Sequence, residues 1–254
     1  MSDEFFVGYL ETPPQAARRM KRVAAALILI AGATALALAL ATGPFDRSSY
    51  EFTIVSDWEG TLELAPVPVL IVTTRVAPDS PMMTVERYPL VAQGKHGADA
   101  LLAGSDGATV GLKARRIVRD RTTMLEIVPD TIERRERAQP ATKIEDLGPS
   151  TFSGEIVDSK CFLGVMNPGR LEVHRACAIR CIAGGVPPML FVHDDNGREA
   201  HLLLVDANGQ SMNDRVLDLI AQPVTIQGRL ERRDDLDYLY VWSVNGLKSV
   251  SRSK

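Results

Sequence analysis

Val224-Thr225-Ile226-Gln227-Gly228-Arg229 decides how the chain is read, because Val110-Gly111-Leu112-Lys113-Ala114-Arg115 answers it in the first half. The correspondence spreads outward from these two runs. Trp58-Glu59-Gly60-Thr61-Leu62 answers Phe152-Ser153-Gly154-Glu155-Ile156, and Pro68-Val69-Leu70-Ile71-Val72 answers Pro188-Met189-Leu190-Phe191-Val192. Each half then reaches a basic-acidic turn before its last run, Arg119-Asp120 in one and Arg233-Asp234 in the other. The shared order of elements reads as a divergent duplication.

Short runs rich in Val, Ile, Leu and Thr, punctuated by Pro, Gly, Asn and Asp, predict strands. In the first half they fall at 51–63, 67–76, 84–91, 108–118 and 122–128, and in the second at 152–158, 189–193, 199–206, 224–233 and 236–244. Asp194-Asp195-Asn196-Gly197 is a hairpin signal and Asn208-Gly209 a further turn. Helix slots lie at 171–183 and 213–221. Five strands with an intervening helix predict a mainly β chain with two tandem small OB-like β-barrel modules, at 51–134 and 151–250. Two β-sandwich modules are the alternative, since strand number alone does not decide how strands close. Linkers are expected at 43–50 and at 135–150, where Glu133-Arg134-Arg135-Glu136-Arg137 runs into Gln139-Pro140.

Before the β runs stands VAAALILIAGATALALALAT, residues 23–42, without a charge or a proline. At about 1.5 Å per residue it covers about 30 Å, the hydrocarbon thickness of a bilayer. Arg18, Arg19, Lys21 and Arg22 precede it, so the positive-inside bias leaves 1–22 as a cytoplasmic tail. The expectation is a single-pass protein of the bacterial inner membrane, inserted by residues 23–42, with its bulk in the periplasm. A cleavable signal peptide is the alternative, because Ala39-Leu40-Ala41 fits a small-x-small cleavage site. Against it, the leader carries Asp3, Glu4 and Glu11 and opens with Phe5-Phe6-Val7-Gly8-Tyr9-Leu10. That patch reads either as a docking segment for a membrane partner or as a bland cover on the membrane surface.

Composition narrows the function. Of 254 residues 45% are apolar and 24% charged, which is the make-up of a folded chain. The net charge of −3 argues against nucleic acid as a partner. With 6% aromatics and three cysteines, neither a base-stacking platform nor a dense disulfide scaffold is on offer. There is no nucleophile elbow, P-loop, dinucleotide fingerprint or H-E-x-x-H, so no catalytic residues are assigned.

The single constellation with chemistry is Cys161, His174, Cys177 and Cys181. Thiols gathered beside a histidine suggest a zinc or copper site. On a helix over 171–183, His174, Cys177 and Cys181 would share one face. His174 and Cys181 would nevertheless stand about 10.5 Å apart along the axis, too far for one ion unless the helix bends or ends early. The competing reading is a disulfide from Cys161 to Cys177 or Cys181, with a spare thiol. Lys160 beside Cys161 is a candidate for lowering its pKa. Met166 in Met166-Asn167-Pro168-Gly169 offers a thioether to a soft ion, although a plain turn is the stronger reading. Gly94-Lys95-His96-Gly97 reads as a solvated turn, with a small-molecule or partner loop as the alternative, and His193 and His201 as sheet residues.

The second half also resembles a known group. G-E-I-V-D-S-K-C from Gly154, H-R-A-C-A-I-R-C-I-A-G-G-V-P-P from His174 and V-T-I-Q-G-R-L from Val224 are similar to a family of small exported bacterial OB-like domains. Its signature is G-x-[VI]-x-D, a Cys, H-x-x-C-A-x-x-C and G-x-P. The resemblance implies an OB-like fold over roughly 150–245 and interest at Cys161, His174, Cys177 and Cys181. It carries no settled activity. The first half has no cysteine, so the site is expected to belong to the second half alone. A membrane helix ahead of an OB-like barrel also looks like the haem chaperone of cytochrome c maturation, without that chaperone's haem-binding motif.

Together these readings predict an accessory or assembly subunit of an inner-membrane complex, plausibly a respiratory one, with a structural or metal-binding Cys/His site. The alternative is a periplasmic thiol-redox or metal-transfer protein, in which Cys177 or Cys181 reacts and Cys161 resolves.

Overall fold

A computed structural model describes residues 12–42, 48–75, 82–135, 142–193 and 198–245. The apolar tail patch at 5–10 and the hairpin signal at 194–197 lie outside the described residues. The first element is α1 (Pro14–Thr42), 29 residues long, which takes in the basic cluster as well as the apolar run. Proline suits the first helical position because its missing N–H has no partner there. Leu27, Ile28, Leu29, Ile30, Leu36, Leu38 and Leu40 are all exposed, so this helix buries no stripe within the chain. It is long and apolar enough to cross a membrane, and it forms a compact unit apart from the β-rich remainder.

The remainder is mainly β. Its first part holds β1 (Ser48–Tyr50), β2 (Ser56–Glu63), β3 (Val69–Arg75), β4 (Met83–Val91), α2 (Asp99–Leu102), β5 (Thr109–Arg119), β6 (Thr122–Ile127) and β7 (Glu133–Arg134). The second part holds β8 (Ile144–Asp158), α3 (Arg175–Ala183), β9 (Pro188–His193), β10 (Glu199–Asp206), α4 (Asn213–Val216), β11 (Pro223–Arg233) and β12 (Leu236–Val244). The second set closes as a five-stranded barrel in the order β10-β12-β11-β8-β9. Closure rather than two stacked sheets follows because β9, at the far end of this order, also pairs antiparallel with β10, while the one parallel contact is that of β10 with β12. In the first set the path is β5-β2-β3-β4-β6, and a further β5–β6 pairing joins its ends, with β1 and β7 added on β5.

The correspondence seen in sequence reappears as register. Gly60 faces Val110 in one set and Gly154 faces Val224 in the other. Leu62 pairs with Leu70, and Ile156 with Leu190. In the parallel contacts Leu90 pairs with Leu125, and Leu204 with Leu239. Isolated bridges match as well, Val91 with Gly97 and Val205 with Ser211. Asp120 and Asp234 both turn through left-handed backbone, at φ 49 and φ 51. Gly60 and Gly154 are glycine for one reason, since a Cβ would strike the carbonyl of Ile71 in the first case and of Phe191 in the second.

Each set has its own apolar interior, and a third cluster lies between them. In it Val69, Ile71, Val91, Ile117 and Met124 meet Val157, Cys161, Phe162, Leu163, Met189, Phe191 and Tyr238. The structure differs from expectation at four places: β1 (Ser48–Tyr50) stands inside the expected linker 43–50 because it pairs with β5, and the strand expected over 51–63 begins only at Ser56. β8 starts at Ile144, inside the stretch expected as a linker, because β11 extends its ladder to Arg233↔Ile144. The segment 171–183 is not one helix: Leu171 has φ 67, a single 3-10 turn spans Glu172–His174, and α3 begins at Arg175.

Candidate functional site

The thiols converge at the seam between the two sets. β8 ends at Asp158, which is buried with the following Ser159 and Lys160, and the chain turns inward through Cys161–Val165. Cys177 and Cys181 stand one turn apart on α3, on the face toward Cys161. The three Sγ atoms all lie within 4.8 Å of one another. Cys161 Sγ and Cys181 Sγ are 3.9 Å apart, a thiol contact rather than the about 2.05 Å of a disulfide. All three cysteines are free.

His174 is not among them. Helix α3 begins only after it, and its Nε2–H donates to Asp158 Oδ2 at 2.9 Å. Asp158 Oδ1 accepts the Cys161 backbone N–H at 2.8 Å. His174 therefore groups with Asp158 and Cys161, behind the thiols. Its part is to hold the carboxylate that holds the Cys161 turn.

The charged partner of the thiols is Lys95, from the first set. Its ammonium donates to Cys177 Sγ at 2.7 Å and stands 3.7 Å from Cys181 Sγ. This overturns the expectation that the site belongs to the second half alone: the 94–97 turn, exposed at Gly94 and His96, carries Lys95 to the thiols. The loop is gripped from two sides. Gly97 N–H donates to Gly184 O at 2.9 Å, and a Cβ at Gly184 would collide with the Lys95 carbonyl. Lys160 Nζ donates to Ala92 O at 2.8 Å and Gly94 O at 2.7 Å, and pairs with Glu126 Oε2 at 2.5 Å. Lys160 thus clamps the loop instead of facing the thiol beside it in sequence. Tyr50 O–H donates to Glu126 Oε1 at 2.6 Å, completing this buried polar group.

A cleft of about 510 Å³ opens onto the thiols, with Tyr50, Phe52, Arg115, Val165 and Met166 in its wall. Met166 is 45% exposed there, where its thioether can meet an entering ion. The electrostatics are asymmetric. The hydrogen bond from Cys161, aided by Lys95 and opposed by burial and Asp158, brings Cys181 down to about 7. The same hydrogen bond, then burial and Asp158, push the Cys161 thiol up. Cys177 raises the Lys95 ammonium in turn.

Sequence reasoning named the three thiols but missed Lys95. Its flanking glycines, Gly94 and Gly97, were the available signal, since backbones approach closely only where a Cβ is absent. Comparison with known protein-family models and with curated proteins gives no match to this chain.

Proposed function

We propose that the chain is a membrane-anchored accessory protein that carries one soft metal ion, Cu(I) or Zn(II), on Cys161, Cys177 and Cys181. The carrying observation is the convergence of three Sγ atoms within 4.8 Å of one another. Two thiolates that share a tetrahedral ion at about 2.3 Å lie about 3.8 Å apart. The 3.9 Å between Cys161 and Cys181 fits that span. Three thiolates carry more negative charge than either ion neutralises, and Lys95 offsets it. Met166 at the mouth suits entry and exit of a soft ion.

In this reading the two β sets are tandem OB-type barrels, supported by the shared cycle of five pairings with its one parallel contact. α1 anchors them with its basic end in the cytoplasm and the site in the periplasm, supported by the charge bias ahead of the apolar run. The partner is an inner-membrane complex, to which the site delivers its ion or in which it keeps one.

Native mass spectrometry of the full chain in detergent tests the site. One Cu(I) per chain, or one Zn(II) more than Cys177→Ser retains, is expected; a chain that takes up no more of either ion than Cys177→Ser does, with all three thiols free, overturns the reading. Absence of any co-purifying membrane protein after mild solubilisation overturns the accessory role. A thiol-redox role is the second reading, favoured by the pairing of Cys181 near pKa 7 with Cys161 at 3.9 Å. It predicts a reversible Cys161–Cys181 disulfide that excludes the metal.

A further inference from the structure

A second group of ligand atoms meets across the same seam, away from the cysteines. Asp120, in the turn between β5 and β6, approaches Glu199 and His201 of β10, with one ligand atom from each within 4.8 Å of the others. The His201 side chain is 8% exposed. Its Nδ1 lies 2.9 Å from Thr122 Oγ1, and its ring stands edge-on to Phe162 with centroids 5.3 Å apart. Nε2 is buried without a hydrogen-bond partner and lies 3.9 Å from Glu199 Oε2. When Nδ1–H donates to Thr122, the Nε2 lone pair points toward the acids, which is how a ligating imidazole is prepared. Burial and then Arg119 depress the His201 pKa, against Glu199 and Asp120.

Among the described residues, Arg119 is a cation that acts on this ring. Its Nη2 stands 3.7 Å from Glu199 Oε2, beyond hydrogen-bond length, and its guanidinium rests over Phe162 at 4.4 Å. One imidazole nitrogen with two carboxylate oxygens is a donor set for zinc and its neighbours, and too nitrogen-rich for calcium.

We propose that Asp120, Glu199 and His201 bind a divalent transition-metal ion of the zinc class, pinning the first β set to the second. His193, the register partner of Glu199 on β9, stands on the same face of the sheet. The site is independent of the thiols and stands or falls without them.

Cadmium NMR on the full chain in detergent micelles separates the two, because sulfur-bound and nitrogen/oxygen-bound cadmium resonate far apart. A nitrogen/oxygen-bound resonance is expected at one ion per chain, unaffected by Cys177→Ser. It should vanish in His201→Gln and need at least tenfold more cadmium in Asp120→Asn. Asp120 is exposed with φ 49, a conformation asparagine also accepts, so Asp120→Asn leaves the fold intact. No such resonance at stoichiometric cadmium, or unchanged binding in Asp120→Asn, overturns the site and leaves a buried water as the partner of Nε2.

Discussion

Cys181 and Lys95 show how two residues distant in sequence tune one another. Lys95 lies among the groups that lower the Cys181 pKa, so removing its charge disfavours the thiolate. Thiolate absorbance of the metal-free chain should titrate with a midpoint near 7, and Lys95→Met should move it upward toward the ordinary thiol value of about 8.5. An unmoved midpoint would detach Lys95 from the site. Lys160 has a different office. It is buried against Glu126, and Lys160→Met strands that carboxylate beside Tyr50 and a more distant Arg115. Breaking a buried pair on one side costs about 3–5 kcal/mol. Urea unfolding of Lys160→Met should show that loss, and Lys160→Met with Glu126→Gln should recover part of it.

Among the elements, α3 and the 92–97 loop act as one device. Cys177 and Cys181 ride on the helix, and its C-terminal glycine is the seat on which the loop rests. Gly184→Ala adds only a methyl group, yet that methyl meets the Lys95 carbonyl. The expected result is a chain with unchanged far-ultraviolet circular dichroism whose thiolate titration matches that of Lys95→Met. If Gly184→Ala titrates like the parent, the loop is not what positions the ammonium. Helix α3 also shows where sequence reading stopped short. Spacing placed His174 on the face of Cys177 and Cys181, but the left-handed Leu171 and the 3-10 turn rotate it away to Asp158. No short-range pattern announces such a turn, because the hydrogen bond that rewards it comes from β8, 16 residues away in sequence.

For the whole molecule, the shared core and a charged cluster bind the two β sets into one cooperative body. Arg87 on β4 is buried between Asp234 Oδ2 at 2.8 Å and Glu63 Oε1 at 3.0 Å, and Arg233 reaches the same Glu63 oxygen at 2.6 Å. Residues 47–254 should therefore unfold in a single transition seen alike by Trp58 and Trp242 fluorescence and by circular dichroism. Two transitions would mean that the seam is weaker than either barrel. The cluster also sets an acid limit. Burial works against the Glu231 carboxylate, but hydrogen bonds from Arg229, Arg233 and Tyr240 outweigh it and hold the pKa below its ordinary value. Its contribution is therefore whole above the ordinary glutamate value of about 4.3 and disappears as pH falls through the lower native value. Glu231→Gln should flatten that part of the stability profile. Local chemistry was enough to establish the apolar helix, five strand-forming runs in each half and the identity of the three thiols, because these rest on composition, turn residues and spacing along the chain. Which partner each thiol finds, and that Lys95, Glu126, Asp120 and His201 matter at all, was decided by the packing of one β set on the other. That contact joins residues far apart in sequence, and their proximity is a property of the closed core rather than of any segment within it.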